Sequence, residues 1–502
     1  MKPAVFLTTT LTALLLSASA MAAELKIGLA NDPDVLDPAQ SRTFVGRIVY
    51  TAMCDKLVDV GPDLAIVPQL ATEWTWSEGG KELKMKLRKG VKFHDGTPFN
   101  AEAVVATIER NLTLPESRRK SELASVEKVE ANGEDEVTFK LKSPDVTLLA
   151  QLADRAGMIV SPKAAKELGA KFGSHPVCAG PFKFVERVQQ DRIVLEKFAD
   201  YWNKDNVFLD KVTYLPIPDT TVRLANLRAG DLDMGTEMAP SDAAAIKGDA
   251  NLNYLDAVNL GYLALYVNVG NGPAADNPLG KDKRLRQAFS LALDREAIMQ
   301  IVYEGTALAG NQPFPPNGPW FNKDVPVPAR DVEKAKALMK EAGVDRLKLD
   351  FSVTNNPVIL QAAQMMQAMV AEAGFDVSLK ATEFATLLDE ETAGKYQIAR
   401  TDWSGRVDPD GNIHQFVTCK GGLNDMKYCN PEVDKLLNEA RASTDNAARK
   451  QKYDAAAKIL NDELPVIYFG HQAWIWGLNK KVSGFVPSAD GMVRLVGVKK
   501  AD

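Results

Sequence analysis

Histidine and cysteine are scarce, four of each in 502 residues, and neither is set out for metal binding. No Cys-x-x-Cys pair occurs, and His94, His175, His414 and His471 are scattered without ligand spacing. No metal or other cofactor is therefore expected. The G-x-S-x-G nucleophile elbow and the H-E-x-x-H zinc helix are also missing, and Gly280-Lys281 is followed by Asp282 rather than the Ser or Thr of a phosphate loop. The rival reading, an exported hydrolase of peptides or esters, thus has no motif to stand on. Beyond the N-terminal segment no apolar run approaches the roughly 18 residues that span a bilayer. Charge is nearly balanced, 60 Lys and Arg against 66 Asp and Glu, so the basic face of a nucleic-acid binder is not indicated. No internal repeat or low-complexity tract is visible.

What is present begins with a cleavable signal. Lys2, the apolar stretch Leu11 to Leu16 and Ala20-Met21-Ala22 give the three parts of a secretory signal over residues 1–23. No Cys stands at the cleavage position, so a free periplasmic protein is expected rather than a lipid-anchored one. An even cysteine count in an oxidising compartment implies pairing. Cys419 and Cys429 close a short loop around Gly421-Gly422 and form the obvious local pair, although four cysteines allow three connectivities. The remaining length, about 480 residues, predicts two or three domains.

The segment from Glu82 to Asn111 is the most informative. Leu83, Met85 and Leu87 alternate with Lys84, Lys86 and Arg88, the period of a half-buried strand. Asp95-Gly96 and Thr97-Pro98 make a turn, Asn100 stands at an N-cap, and Val104, Val105, Ile108 and Leu112 recur at helical spacing. Farther on, strands are predicted at Leu25 to Leu29, Phe182 to Val188, Arg192 to Lys197, Val212 to Ile217 and Leu263 to Val269. The second half alternates helices and strands, with Asp331, Asn356-Pro357 and Asn430-Pro431 opening helices, which predicts an α/β lobe.

The segment Glu82 to Asn111 resembles the signature of the solute-binding proteins of peptide, nickel and opine-type ABC importers, the dipeptide- and oligopeptide-binding family. PVCAGPFKF from Pro176, YWNKDNVFLD from Tyr201, LRQAFSLALDREAI from Leu285 and TDWSGRVDPDG from Thr401 resemble further family landmarks in the family's order. The resemblance implies a type II periplasmic-binding-protein-like α/β fold, two lobes joined by a hinge with a discontinuous first lobe and an inserted third domain. Expected boundaries are 24–61, 180–268 and 474–502 for the first lobe, 62–179 for the insert and 269–473 for the second lobe. Crossings are expected near Cys178 to Pro181, Val267 to Asn271 and Tyr468 to Trp476. It also implies a Cys54–Cys178 disulfide near a domain junction and an inner-membrane ABC permease as partner; a monomer is the default expectation.

Candidate ligand contacts follow from the same resemblance. In dipeptide-binding relatives a Trp packs on the ligand and the third residue after it, an Asp, pairs with the peptide amine; here Trp403 is followed at that position by Arg406. A cation there favours an anionic group, and Val358 replaces the Arg that takes the peptide carboxylate. Short peptides, modified amino acids or opine-like anionic compounds are the expected solutes. The competing assignment is that Arg406 only pairs with Asp402, Asp408 or Asp410. Asp408, Arg42, Thr43, Phe44, Tyr262, Asn268, Asn355, Asn356 and His414 complete the candidate set, and of Trp474 and Trp476 one is expected to face the cleft.

Overall fold

The computed structural model describes residues 23–77 and 79–501, so the expected signal lies outside the described residues except for Ala23. Two sheets carry the architecture. The first has seven strands in the spatial order Leu252–Val258, Ala473–Asn479, Met234–Gly235, Glu24–Leu29, Lys211–Pro216, Arg192–Lys197 and Phe182–Val188. Leu25, Ile27 and Leu29 are fully buried, and their strand pairs in parallel with both Lys211–Pro216 and Met234–Gly235. Strands from the N-terminus, the middle and the C-terminus thus share one sheet, which makes the first lobe discontinuous.

The second sheet has six strands, in the order Leu308–Ala309, Val466–His471, Leu263–Val267, Ile398–Arg400, Leu347–Thr354 and Phe375–Thr382. The last two pair in parallel and therefore need a crossover, which the helix Pro357–Ala371 supplies. Asn356 starts that helix by accepting from the amides of Val358 and Ile359, with Pro357 in the first turn where its missing N–H costs nothing. A third unit is the antiparallel sheet Ala71–Trp76, Glu82–Leu87, Glu136–Leu141 and Val126–Ala131, covered by the helix Ala101–Thr113. Asn100 caps that helix through the Ala103 amide at 3.1 Å.

Two expected boundaries move. The strand Leu263–Val267 pairs with Ile398–Arg400 and Val466–His471, so it is central to the second sheet and the chain crosses between lobes at 259–262, not near Val267 to Asn271. Its uninterrupted burial is what a strand covered on both faces requires. The return crossing is at Gln472, between His471 and Ala473. The insert begins earlier than residue 62: Leu57 already packs in its core, while Cys54 belongs to the first-lobe core. On return the chain runs between the two cores, with Met158, Val160, Ala164, Phe172 and Cys178 in that of the first lobe and Ile159 and Ala179 in that of the insert. Disulfides join Cys54 to Cys178 and Cys419 to Cys429, so the first staples the two ends of the insert where they leave the lobe. No described helix is long and apolar enough to cross a membrane.

Candidate functional site

A cavity of about 140 Å³ lies between the lobes. Phe44 and Trp474 from the first lobe and Asn356, Arg400 and Trp403 from the second are among its walls. A narrower arm of about 60 Å³ shares Phe44, Phe384, Asp402 and Trp403 and runs inward to Tyr266, Glu391, Tyr396 and Asp425.

Backbone geometry explains why Trp403 stands there. It follows the strand Ile398–Arg400, and its amide and carbonyl exchange hydrogen bonds with those of Tyr262 at 2.9 and 3.0 Å. The approach is close enough that a Cβ on Gly261 would fall 1.7 Å from the Trp403 carbonyl oxygen. Gly405 has φ +79°, and a Cβ there would strike Leu260. Asn412 then locks the loop. Its Oδ1 accepts from Trp403 Nε1 at 2.9 Å and from the Arg406 amide at 2.7 Å, while its Nδ2 donates to the Arg406 carbonyl at 3.0 Å. The aromatic wall continues with Phe44 and Trp474, whose rings stack at 4.4 Å and 8°. Trp476, one alternation farther, is buried in the first-lobe core.

Arg406 is not placed on this cavity. Its guanidinium lies over the Trp403 ring at 4.2 Å and pairs with Asp154 of the insert, not with Asp402, Asp408 or Asp410. Arg47 reaches the same carboxylate at 3.0 Å. Burial would raise the Asp154 pKa, but Arg406, Arg47 and Arg155 outweigh it and hold the carboxyl well below its usual range. The charge inferred for solute recognition thus ties the Trp403 loop to the inserted domain, a contact 252 positions away that no local pattern announces.

Several other expected contacts are likewise occupied by structure. Asp408 pairs with Arg449 at 2.7 Å, and Asp410 with Arg441 at 2.6 Å. His414 is buried against Asn438, and burial together with Arg441 lowers its pKa. Asn268 is fully buried, giving its amide to the Asn271 and Tyr396 carbonyls at 2.8 and 2.9 Å. Tyr262 is core, its hydroxyl on that of Tyr266 at 3.2 Å. Thr43 is a buried helix cap, accepting from the Gly46 amide. Asn355 is exposed and its amide serves the Thr382 carbonyl. Trp403, Phe44 and Asn356 line the main cavity, and Arg42 lines the arm.

Both cations facing the cavity and its arm are already paired. Arg400 contacts Asp402 at 2.8 Å and the Tyr303 hydroxyl at 2.6 Å. Arg42 contacts Asp425 at 2.5 Å and donates to the Leu388 carbonyl at 3.1 Å. Two lining carboxyls have no such cation. Burial pushes Glu237 up to about 7 against the pull of Arg223, and burial pushes Glu391 up to about 7 against Arg42 and a hydrogen bond from Thr401. Unpaired ionisable groups in the cavity are therefore acidic, and no free cation among the described lining residues awaits an anion.

The profile of bacterial extracellular solute-binding proteins, family 5 (middle region), matches residues 65–424. The chain belongs to this family. It is 28% identical to the dipeptide-binding protein of Escherichia coli K12 over 95% of this chain and 94% of that one. It is 29% identical to the glutathione-binding protein GsiB of Pectobacterium atrosepticum over 91% and 90%. Among solved structures, the dipeptide-binding protein of Pseudoalteromonas sp. SM9913 in complex with Met-Leu superposes with a TM-score of 0.89 at 25% identity, covering 95% of this chain and all of that one. The binding protein AgaA from A. tumefaciens R10 in complex with agropinic acid gives 0.85 at 28% identity, covering 95% and 99%.

Within this family 5 member, sequence reasoning missed Glu391, Glu237, Asp425, Asn412 and Asp154. One signal for Glu391 was available. It follows Leu387 and Leu388 at helical spacing on the buried face of Phe384–Thr392, where a carboxyl is out of place unless it has a task. Asp154 had none, because Arg47 and Arg406 reach it only in the folded chain.

Proposed function

We propose that this protein is the periplasmic substrate-binding component of an ABC importer. It captures a small organic solute, such as a short peptide, modified amino acid or opine-like compound, closes on it by hinge motion and delivers it to an inner-membrane permease. The observation that carries the reading is the cavity walled by both lobes, Phe44 and Trp474 on one side and Asn356 and Trp403 on the other. A solute touching both walls binds the closed form more tightly than the open one, and that difference is the whole driving force for closure. No bond is made or broken, and a single chain suffices. Relatives named for dipeptide and glutathione binding, and a neighbour holding agropinic acid, support this solute class.

Native mass spectrometry of protein recovered from the periplasm, beside the same sample denatured and extracted, tests the reading. A non-covalent solute released unchanged is the expected result, together with loss of its uptake when the gene is deleted. Chemical conversion of that solute by the purified protein would overturn it.

A further inference from the structure

The inner arm of the cavity has a chemistry of its own. Tyr266, Tyr396, Trp403 and Phe416 present aromatic surface to it, and Glu391, Asp402 and Asp425 present carboxylates. Asp402 is matched by Arg400 and Asp425 by Arg42. Glu391 has no cation in contact among the described residues: it is 3% exposed, one of its oxygens accepts from the Thr401 hydroxyl, and Arg42, which is paired with Asp425, acts on it only from a distance. Tyr396 supplies a second, independent sign of a missing group. Its side chain lines the arm, the residue is 2% exposed, and its hydroxyl has no hydrogen-bond partner among the described residues. A buried hydroxyl without a partner is costly, and a ligand is one way such a debt is met.

The two vacant partners ask for the same thing. Carboxylate and phenol oxygens both accept from N–H donors, and ring faces carry negative quadrupole that attracts cations within about 6 Å. An anion entering the arm would meet three carboxylates and one already committed arginine. The arm's volume of about 60 Å³ suits a charged head with a few carbons and excludes a second large ring.

Resting on the receptor reading above, we propose that the inner arm is a subsite for a cationic group of the captured solute, an ammonium or guanidinium, with Glu391 as its counter-charge and the Tyr396 hydroxyl as a further acceptor. Trp403 and Ser404 border this site but Arg406 does not, and the site reverses the charge that Arg406 suggested for the solute. Burial raises the Glu391 pKa to about 7, so at neutral pH arrival of a cation completes its ionisation and releases the proton that the neutral fraction still holds.

Matched small probes test the subsite without knowledge of the natural solute. n-Butylammonium, n-butylguanidinium, n-butanol and butanoate each carry a short unbranched alkyl chain and differ in charge. Saturation-transfer NMR at pH 8, on the mature protein stripped of any bound solute, should show saturable binding of the two cations and none of butanoate. Glu391→Gln should weaken the cations at least tenfold and Tyr396→Phe severalfold, with both variants keeping wild-type circular dichroism. No saturable cation signal, butanoate binding as well as butylammonium, or unchanged cation binding by Glu391→Gln would each overturn the proposal. Capture itself is read separately, from solute released on denaturation. A released solute bearing no cationic group would leave capture standing and remove this subsite, while conversion of the solute would remove the receptor reading regardless of the probe result.

Discussion

Arg42 Nη2 lies 2.5 Å from Asp425 Oδ2, joining the N-terminal loop of the first lobe to the second lobe beside the cavity arm. The same guanidinium donates to the Leu388 carbonyl and to Thr392, so one first-lobe side chain holds three points on the opposite lobe. Replacing Asp425 by Asn removes the charge while keeping the shape. Solute affinity should fall by about five- to twentyfold, roughly 1 to 2 kcal/mol, because the contact forms only when the lobes are together. Small-angle scattering of the solute-free variant should show a larger radius of gyration than wild type. Equal radii and equal affinities would mean that the pair is incidental to closure.

Arg406 gives a prediction of a different kind. Its guanidinium is buried between Trp403 and Asp154, and removing it leaves that carboxylate with Arg47 and Arg155 alone. Breaking one partner of a buried charge cluster costs about 3 to 5 kcal/mol where no other partner remains, and somewhat less here, about 2 to 3. Arg406→Met should therefore lower the midpoint of urea unfolding and change the affinity of a cavity-bound solute little. A large affinity loss at unchanged stability would return Arg406 to direct solute recognition.

These two arginines show what was legible in the sequence. Patterns with short range were readable. The cap at Asn100 and the strand from Glu82 to Leu87 both follow from spacing and backbone preference within a few residues. The aromatic side of the cavity was readable only in part: Trp474 and Trp476 lie two apart on one strand and share a face, and Trp474 lines the cavity because it stands at the start of the strand beside the crossing. Charge partners were not. Arg406 was weighed against Asp402, Asp408 and Asp410, its neighbours in sequence, yet Asp402 is taken by Arg400, Asp408 by Arg449 and Asp410 by Arg441. Coulomb pairing depends on distance in space, and the insert brings Asp154 closer than any neighbour in sequence. The crossing at 259–262 was misplaced for a related reason: a run of buried apolar residues says that a strand is central but not which sheet it is central to.

The Cys54–Cys178 bridge closes 124 positions of chain and lies where the insert leaves and rejoins the first lobe. Its loss should cost about 2 to 5 kcal/mol by releasing the unfolded chain, against about 2 to 3 for the ten-position loop of Cys419–Cys429. Cys54→Ser with Cys178→Ser should lower the thermal midpoint more than Cys419→Ser with Cys429→Ser. The reverse order would show that the long bridge constrains segments already held by packing.

Glu237 and Glu391 make stability depend on pH in an unusual sense. In the folded protein both carboxyls titrate at about 7 because they are buried, whereas in the unfolded chain each returns to about 4.5. Between those values the folded state holds more protons than the unfolded state. The contribution of each group is therefore fully present below about pH 4.5 and is lost as pH rises through about 7, a change of roughly 2 to 4 kcal/mol per group. Glu391 faces Arg42, Asp425 and Thr401, and Glu237 faces Arg223, so neither has a cation of its own to restore the loss. Solute-free protein should accordingly melt at a higher temperature at pH 6 than at pH 8. Glu391→Gln and Glu237→Gln should each flatten that slope and raise stability at pH 8 by about 1 to 3 kcal/mol, read from urea unfolding across the range. A cationic solute seated beside Glu391 should flatten it as well, since it supplies the charge that the empty arm lacks. Wild type and both variants running parallel from pH 5 to 8 would show that these carboxyls ionise normally, and Glu391 would then be solvated rather than poised.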